Sequence, residues 1–150
     1  MGTLSDLLAL AQQRALNLGL PYQGALTPGE AWQVLQLAPG AKLVDVRSPA
    51  ARARVGRVPP AGGIEWASWP GMQRNTNFVS QLRHQVDPEA LVMFLCRSGA
   101  RSDGAARAAV EAGYSNCYNV LEGFEGDKDA NGQRNRIGGW RHAGLPWHQG

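Results

Sequence analysis

Residues 90–102, Ala90-Leu91-Val92-Met93-Phe94-Leu95-Cys96-Arg97-Ser98-Gly99-Ala100-Arg101-Ser102, change character within a single step. Ala90 to Leu95 is a continuous apolar run with no alternation, which predicts a strand buried on both faces, as in a parallel sheet. It runs directly into a cysteine and a short loop of arginine, serine and glycine. A helix is predicted from about Ser102 to Ala112, with Ala105, Ala106, Ala109 and Val110 facing inward and Gly113 closing it. In open parallel sheets, ligands bind beyond the carboxyl ends of the strands. A helix N-terminus offers unpaired N–H groups and a partial positive charge. Successive N–H groups in a tight loop add an anion-binding nest.

Cys96 sits where these features converge, and the setting favours its thiolate over its thiol. Arg97 and Arg101 add positive charge, Gly99 permits a tight turn, and Ser102 is expected to cap the following helix with its hydroxyl. Cys96 is therefore the candidate nucleophile. Arg97, Ser98, Gly99, Ala100, Arg101 and Ser102 are the candidate binding residues. A phosphatase loop of the C-x5-R type needs Arg six positions after the cysteine; position 102 is Ser, and Arg101 comes one residue early. A compact ring of amides better suits a smaller load, such as one extra sulfur atom carried as a persulfide.

Outward from this loop, the chain alternates helices and strands. Residues 4–18 carry apolar residues at helical spacing, stopped by Gly19 and Pro21. Thr27-Pro28-Gly29-Glu30 reads as a capped helix start, with Glu30 placed to bond back to the cap. Residues 42–47 form a β-branched strand ended by Ser48 and Pro49, and residues 50–63 read mostly as loop. Ile64 to Trp66 is a short strand, Asn77 to Val86 a helix, and Asn116 to Leu121 a strand. Such alternation implies an α/β fold, a central parallel β-sheet with helices on both faces. Residues 1–24 form an N-terminal helical extension, and residues 25–150 one domain with a polar, glycine-rich insertion over 122–139.

At 150 residues the chain is one domain's length. A composition of 43% hydrophobic and 18% charged residues excludes a disordered chain, a collagen and a disulfide scaffold. No apolar run approaches the ~18 residues of a membrane span, and no signal peptide is evident. A cytoplasmic location with both cysteines, Cys96 and Cys117, as free thiols is expected. Cys117 lies in an apolar strand and reads as core. Of the 15 cations 13 are arginine, including Arg47, Arg52, Arg54 and Arg57 in one stretch; this suits an anionic substrate or acidic partner. Nucleic acid is not expected, because basic and aromatic residues do not interleave.

His84, His142 and His148 lack zinc-ligand spacing to either cysteine, and neither metal nor cofactor is expected. Asp127 to Gly132 matches the first half of a calcium loop, but the position of its bidentate Glu is Gly138, so a polar turn is favoured. Trp66, Trp69 and Glu65 are candidates for a pocket wall.

Taken together, the motifs resemble those of the rhodanese-like (sulfurtransferase) domain family, of the single-domain type. Cys96 to Ser102 is similar to the family's active-site loop, and Leu43-Val44-Asp45-Val46-Arg47 to its strand ending in Asp-Val-Arg. Gly56-Arg57-Val58-Pro59, Gly113-Tyr114 through Gly123, and Trp140 with Ala143-Gly144-Leu145-Pro146 match further segments in the right order. The resemblance implies five parallel strands, Cys96 as sulfur acceptor, the backbone of 97–102 as its cradle, and Asp45 and Arg47 as supporting residues near the loop. Departures are Arg57 in place of a histidine, Ala50 and Ala51 where an acid is common, a single glycine at Gly123, and the extra residues before Gly138.

The implied function is transfer of sulfane sulfur from thiosulfate or a persulfide donor, through a Cys96 persulfide, to cyanide, a thiol or a protein acceptor. Rival readings are a sulfur-carrier or docking module with little small-molecule turnover, and a Cys-dependent phosphatase or arsenate reductase.

Overall fold

In the computed structural model, which describes residues 3–68 and 73–148, the order is α1 (Leu4–Leu18), β1 (Gly24–Leu26), α2 (Pro28–Leu37), β2 (Lys42–Asp45), α3 (Pro49–Arg54), β3 (Gly62–Gly63), β4 (Ala67–Ser68), β5 (Gln73–Arg74), α4 (Phe78–Gln85), β6 (Val92–Leu95), α5 (Ala100–Glu111) and β7 (Cys117–Val120). Five strands make a parallel sheet in the order β1-β7-β6-β2-β3, while β4 and β5 form a separate antiparallel pair. The apolar run is thus the middle strand, β6, and all four of its residues are buried.

Alternation of side chains along each strand divides the core in two. Val44, Val46, Val92, Phe94, Cys96 and Cys117 face one layer, packed with Phe78 and Leu82 of α4 and Ala105, Ala106 and Ala109 of α5. Leu43, Met93, Leu95, Tyr118 and Val120 face the other, packed with Leu7 and Ala11 of α1, Ala31 and Val34 of α2, and Phe124 and Trp140. A strand pressed from both sides has no polar face to display, which is why β6 carries no period-2 signal. Cys96 continues the phase of Val92 and Phe94, so its side chain points to the α5 side.

The capping box at α2 forms as its residues dictate: Thr27 Oγ1 accepts from the Glu30 amide at 3.3 Å, and Glu30 Oε1 accepts from the Thr27 amide at 2.9 Å. Several boundaries differ from the sequence expectation. Ser48 and Pro49 do not merely end a strand; they cap and begin α3, inside the stretch expected to be loop. β3 lies at Gly62–Gly63, two residues before the expected Ile64 start, although Ile64 and Trp66 still donate to Asp45 and Val46 of the neighbouring chain segment. β1 was too short, at three residues, to leave a pattern. Residues 122–139 hold turns without a helix or strand. Trp69, a candidate wall residue, lies outside the described residues. No helix among the described residues is long and apolar enough to cross a membrane.

Candidate active site

Cys96 stands immediately past β6, level with the carboxyl ends of its parallel neighbours. The chain then turns sharply at Gly99, whose φ of +101° is ready for glycine and costly for other residues. Gly99 is also the N-cap of α5, so the helix begins at Ala100. Its amide donates to Cys96 Sγ at 3.1 Å, aiming the first free N–H of a twelve-residue helix at the sulfur. A cavity of about 190 Å³ opens over the thiol, lined by Cys96, Arg97, Ser98, Ala100 and Arg101. Of the seven loop residues, five therefore wall one small cavity and Gly99 supplies the donor beneath it.

Ser102 has a different place from the one expected. Because α5 begins two residues early, Ser102 is inside its first turn and does not cap it. Its hydroxyl is fully buried, lies 3.3 Å from Cys96 Sγ, and donates to Asn119 Oδ1 of β7 at 2.5 Å. Asn119 Nδ2 in turn donates to the Gly99 carbonyl at 3.1 Å. Asn119 was overlooked in the sequence. Its signal was a polar residue in an otherwise apolar strand, two positions from Cys117 and so on the same face, since a buried amide must find partners.

The back of the loop is held by the start of the 122–139 segment. Phe124 N donates to the Cys96 carbonyl at 2.8 Å, and the amides of Glu125 and Gly126 donate to the Arg97 carbonyl at 2.9 and 3.2 Å. These bonds draw the loop's carbonyls outward. Phe124 also connects the loop to Arg47, whose Cζ is 4.3 Å from the ring centroid. Arg47 forks onto Asp45, with Nη2 donating to Oδ2 at 2.7 Å, and also donates to the Gly56 carbonyl. Asp45 and Arg47 are both buried, and neither lines the Cys96 cavity. Arg47 Nη1 has no hydrogen-bond partner among the described residues.

Other candidates lie elsewhere. Trp66 packs edge-on to Phe78 and against Gly104 of α5, away from the cavity lining. Glu65 is not in that lining either. Cys117 pairs with Val92 at the opposite end of the sheet, about 13 Å along the strand direction from Cys96. Burial pushes its thiol up to about 12. His142 and His148 are exposed, and Arg57 Nε donates to His148 Nε2 at 3.0 Å. Among the described residues no three His, Cys, Asp or Glu side chains are grouped to hold a metal ion.

The rhodanese-like domain model matches residues 27–130, more than half of the chain. The chain belongs to the rhodanese-like domain family. Uncharacterized protein RP600 of Rickettsia prowazekii is 36% identical over 122 residues, covering 79% of this chain and 91% of that protein. The thiosulfate sulfurtransferase GlpE of Haemophilus influenzae is 30% identical over 107 residues, covering 71% and 89%. The crystal structure of Rv0390 from M. tuberculosis superposes with a TM-score of 0.79 at 46% identity, covering 86% of this chain and 99% of that one. The rhodanese-like fold of five parallel strands flanked by helices is thus established, and likeness to thiosulfate sulfurtransferases supports sulfurtransferase chemistry in general.

Proposed function

We propose that this rhodanese-like domain is a sulfurtransferase that carries sulfane sulfur as a persulfide on Cys96. The observation that carries the reading is the Gly99 amide aimed at Sγ from the start of α5, beneath a small cavity walled by Arg97 and Arg101. In the first half-reaction, the Cys96 thiolate attacks the outer sulfur of thiosulfate. The sulfur–sulfur bond breaks, sulfite leaves with the bonding pair, and Cys96 holds a persulfide anion. In the second, cyanide or a thiolate attacks the terminal sulfur, and the Cys96 thiolate is regenerated. A protein persulfide serves equally as donor by the same displacement. The two halves are separate covalent steps, so steady-state kinetics follow a ping-pong pattern. The N–H cradle and the guanidinium charges stabilise both anionic sulfur species.

The phosphatase reading lacks its arginine at position 102, which is occupied by a buried serine. The test is sulfite release and intact mass after exposure to thiosulfate. Wild type should gain the mass of one sulfur atom at Cys96 and lose it to cyanide. Cys96→Ser should do neither while retaining its circular dichroism. Full transfer by that variant would discard the proposal.

A further inference from the structure

The Ser102 hydroxyl has one proton and two neighbours that compete for it. Asn119 Oδ1 takes it at 2.5 Å. The amide cannot be turned over, because that would set its oxygen against the Gly99 carbonyl now served by Nδ2 at 3.1 Å. With the proton committed to Asn119, only lone pairs of Ser102 face Cys96 Sγ at 3.3 Å. That contact is satisfied by a thiol, which donates, and not by a thiolate, which must accept.

We propose that Asn119 is a positioning residue that holds the Ser102 hydroxyl as an acceptor toward Cys96 and thereby sets the balance between thiol and thiolate. When Cys96 loses its proton to solvent at the cavity mouth, the hydroxyl either stays with Asn119, leaving Sγ with the Gly99 donor, or swings to Sγ and leaves a buried carbonyl oxygen unpaired. Each course costs free energy. Compared with a loop in which Ser102 is free to donate to sulfur, the thiolate receives one hydrogen bond fewer and keeps more of its electron density for attack. The inference rests on Cys96 being the reacting group. The charged groups around it are Arg97 and Arg101 on the loop, Asp103 on α5, Asp45 at the end of β2 with Arg47 just past it, and Glu122 and Glu125 on the turn behind. Tyr22, which donates to Asp103 at 2.7 Å, also hydrogen-bonds with the Asn119 side chain and loses that contact in Asn119→Leu with or without Ser102, so the Ser102→Ala background separates its effect.

The test is the rate of iodoacetamide alkylation against pH, with the label located by peptide mass spectrometry. Asn119→Leu keeps the branched side-chain skeleton, removes the acceptor together with the Nδ2 donor to the Gly99 carbonyl, and frees the hydroxyl to donate to sulfur. Its alkylation midpoint should fall by about one pH unit, the difference between a neutral and a charge-assisted hydrogen bond. Its plateau rate should fall about threefold, because a less basic thiolate is a weaker nucleophile. The two profiles therefore cross, which a merely loosened loop would not produce. In a Ser102→Ala background the same Leu substitution should move neither midpoint nor plateau. An unchanged or upward-shifted midpoint in Asn119→Leu, or an equal shift without Ser102, would overturn the inference. If Asn119→Leu fails to fold, Asn119→Ala, which likewise removes the acceptor, is judged by the same crossing criterion in both backgrounds. Label absent from Cys96 in wild type would instead remove the sulfurtransferase reading.

Discussion

At the scale of single residues, Gly123 shows what the nucleophile loop demands of its neighbours. Its φ is +65°, and a Cβ there would lie 2.5 Å from both the Arg97 carbonyl carbon and the Cys96 oxygen. Backbone meets backbone, so no flexible side chain can yield. Gly123→Ala should destabilise the fold by about 2 kcal/mol or more, read as a lower urea midpoint. It should also slow alkylation at Cys96, because the bonds from 124–126 to the loop cannot all survive. A glycine at the start of the insertion was visible in the sequence. That this one backs the cysteine loop was not, since the contact joins residues more than twenty positions apart. The same holds for Asn119, whose partners Ser102 and Gly99 come from another element.

Elements differ in how far they are governed locally. The start of α2 is written in four consecutive residues, and the capping box forms from them alone. Thr27→Ala should cost about 1 kcal/mol in chemical denaturation. Glu30 does more than cap. Burial on its own pushes its carboxyl up, but hydrogen bonds from Arg14 and Thr27 and the Arg14 charge outweigh burial and hold it below the usual carboxylate range. A depressed value means that this contribution to stability is complete above the ordinary carboxylate range and is lost as pH falls through the folded value. Glu30→Gln should therefore be less stable than wild type at pH 7 and show a shallower loss of stability between about pH 5 and pH 2 in urea melts. Arg14 comes from α1 and also donates to the Ala25 carbonyl, so the same ion pair fastens the N-terminal helix to β1 and α2. The six-residue α3 escaped a periodicity reading because it is shorter than two turns and contains no buried apolar stripe.

For the molecule as a whole, alkaline pH is the relevant stress. Burial pushes the Cys117 thiol up to about 12, and raises the phenols of Tyr22, Tyr114 and Tyr118 above the ordinary tyrosine value. These acids are held neutral in the folded state. Their contribution is complete below their unfolded values, about 8.5 for the thiol and 10 for the phenols, and is lost as pH rises above those values. Stability should decline steadily above about pH 9, as measured by urea midpoints. Iodoacetamide at pH 9 should label Cys96 in the native protein and reach Cys117 only after unfolding. Peptide mapping decides this. Native labelling of Cys117 would mean that the sheet opens locally at β7.

The sequence by itself determined the parts whose causes are local or periodic. An apolar run without alternation specified a doubly covered strand, four residues specified a capped helix, and a glycine three residues past a cysteine specified a turn leading into a helix. Those are matters of chain geometry and burial within reach of a few neighbours. Only the tertiary structure decided which proton Ser102 gives to which acceptor, which backbone presses on the loop from behind, and that the buried Asp45–Arg47 pair reaches the loop through Phe124. Hydrogen bonds and ion pairs between distant segments depend on tenths of an ångström that packing sets and no short stretch of chain encodes.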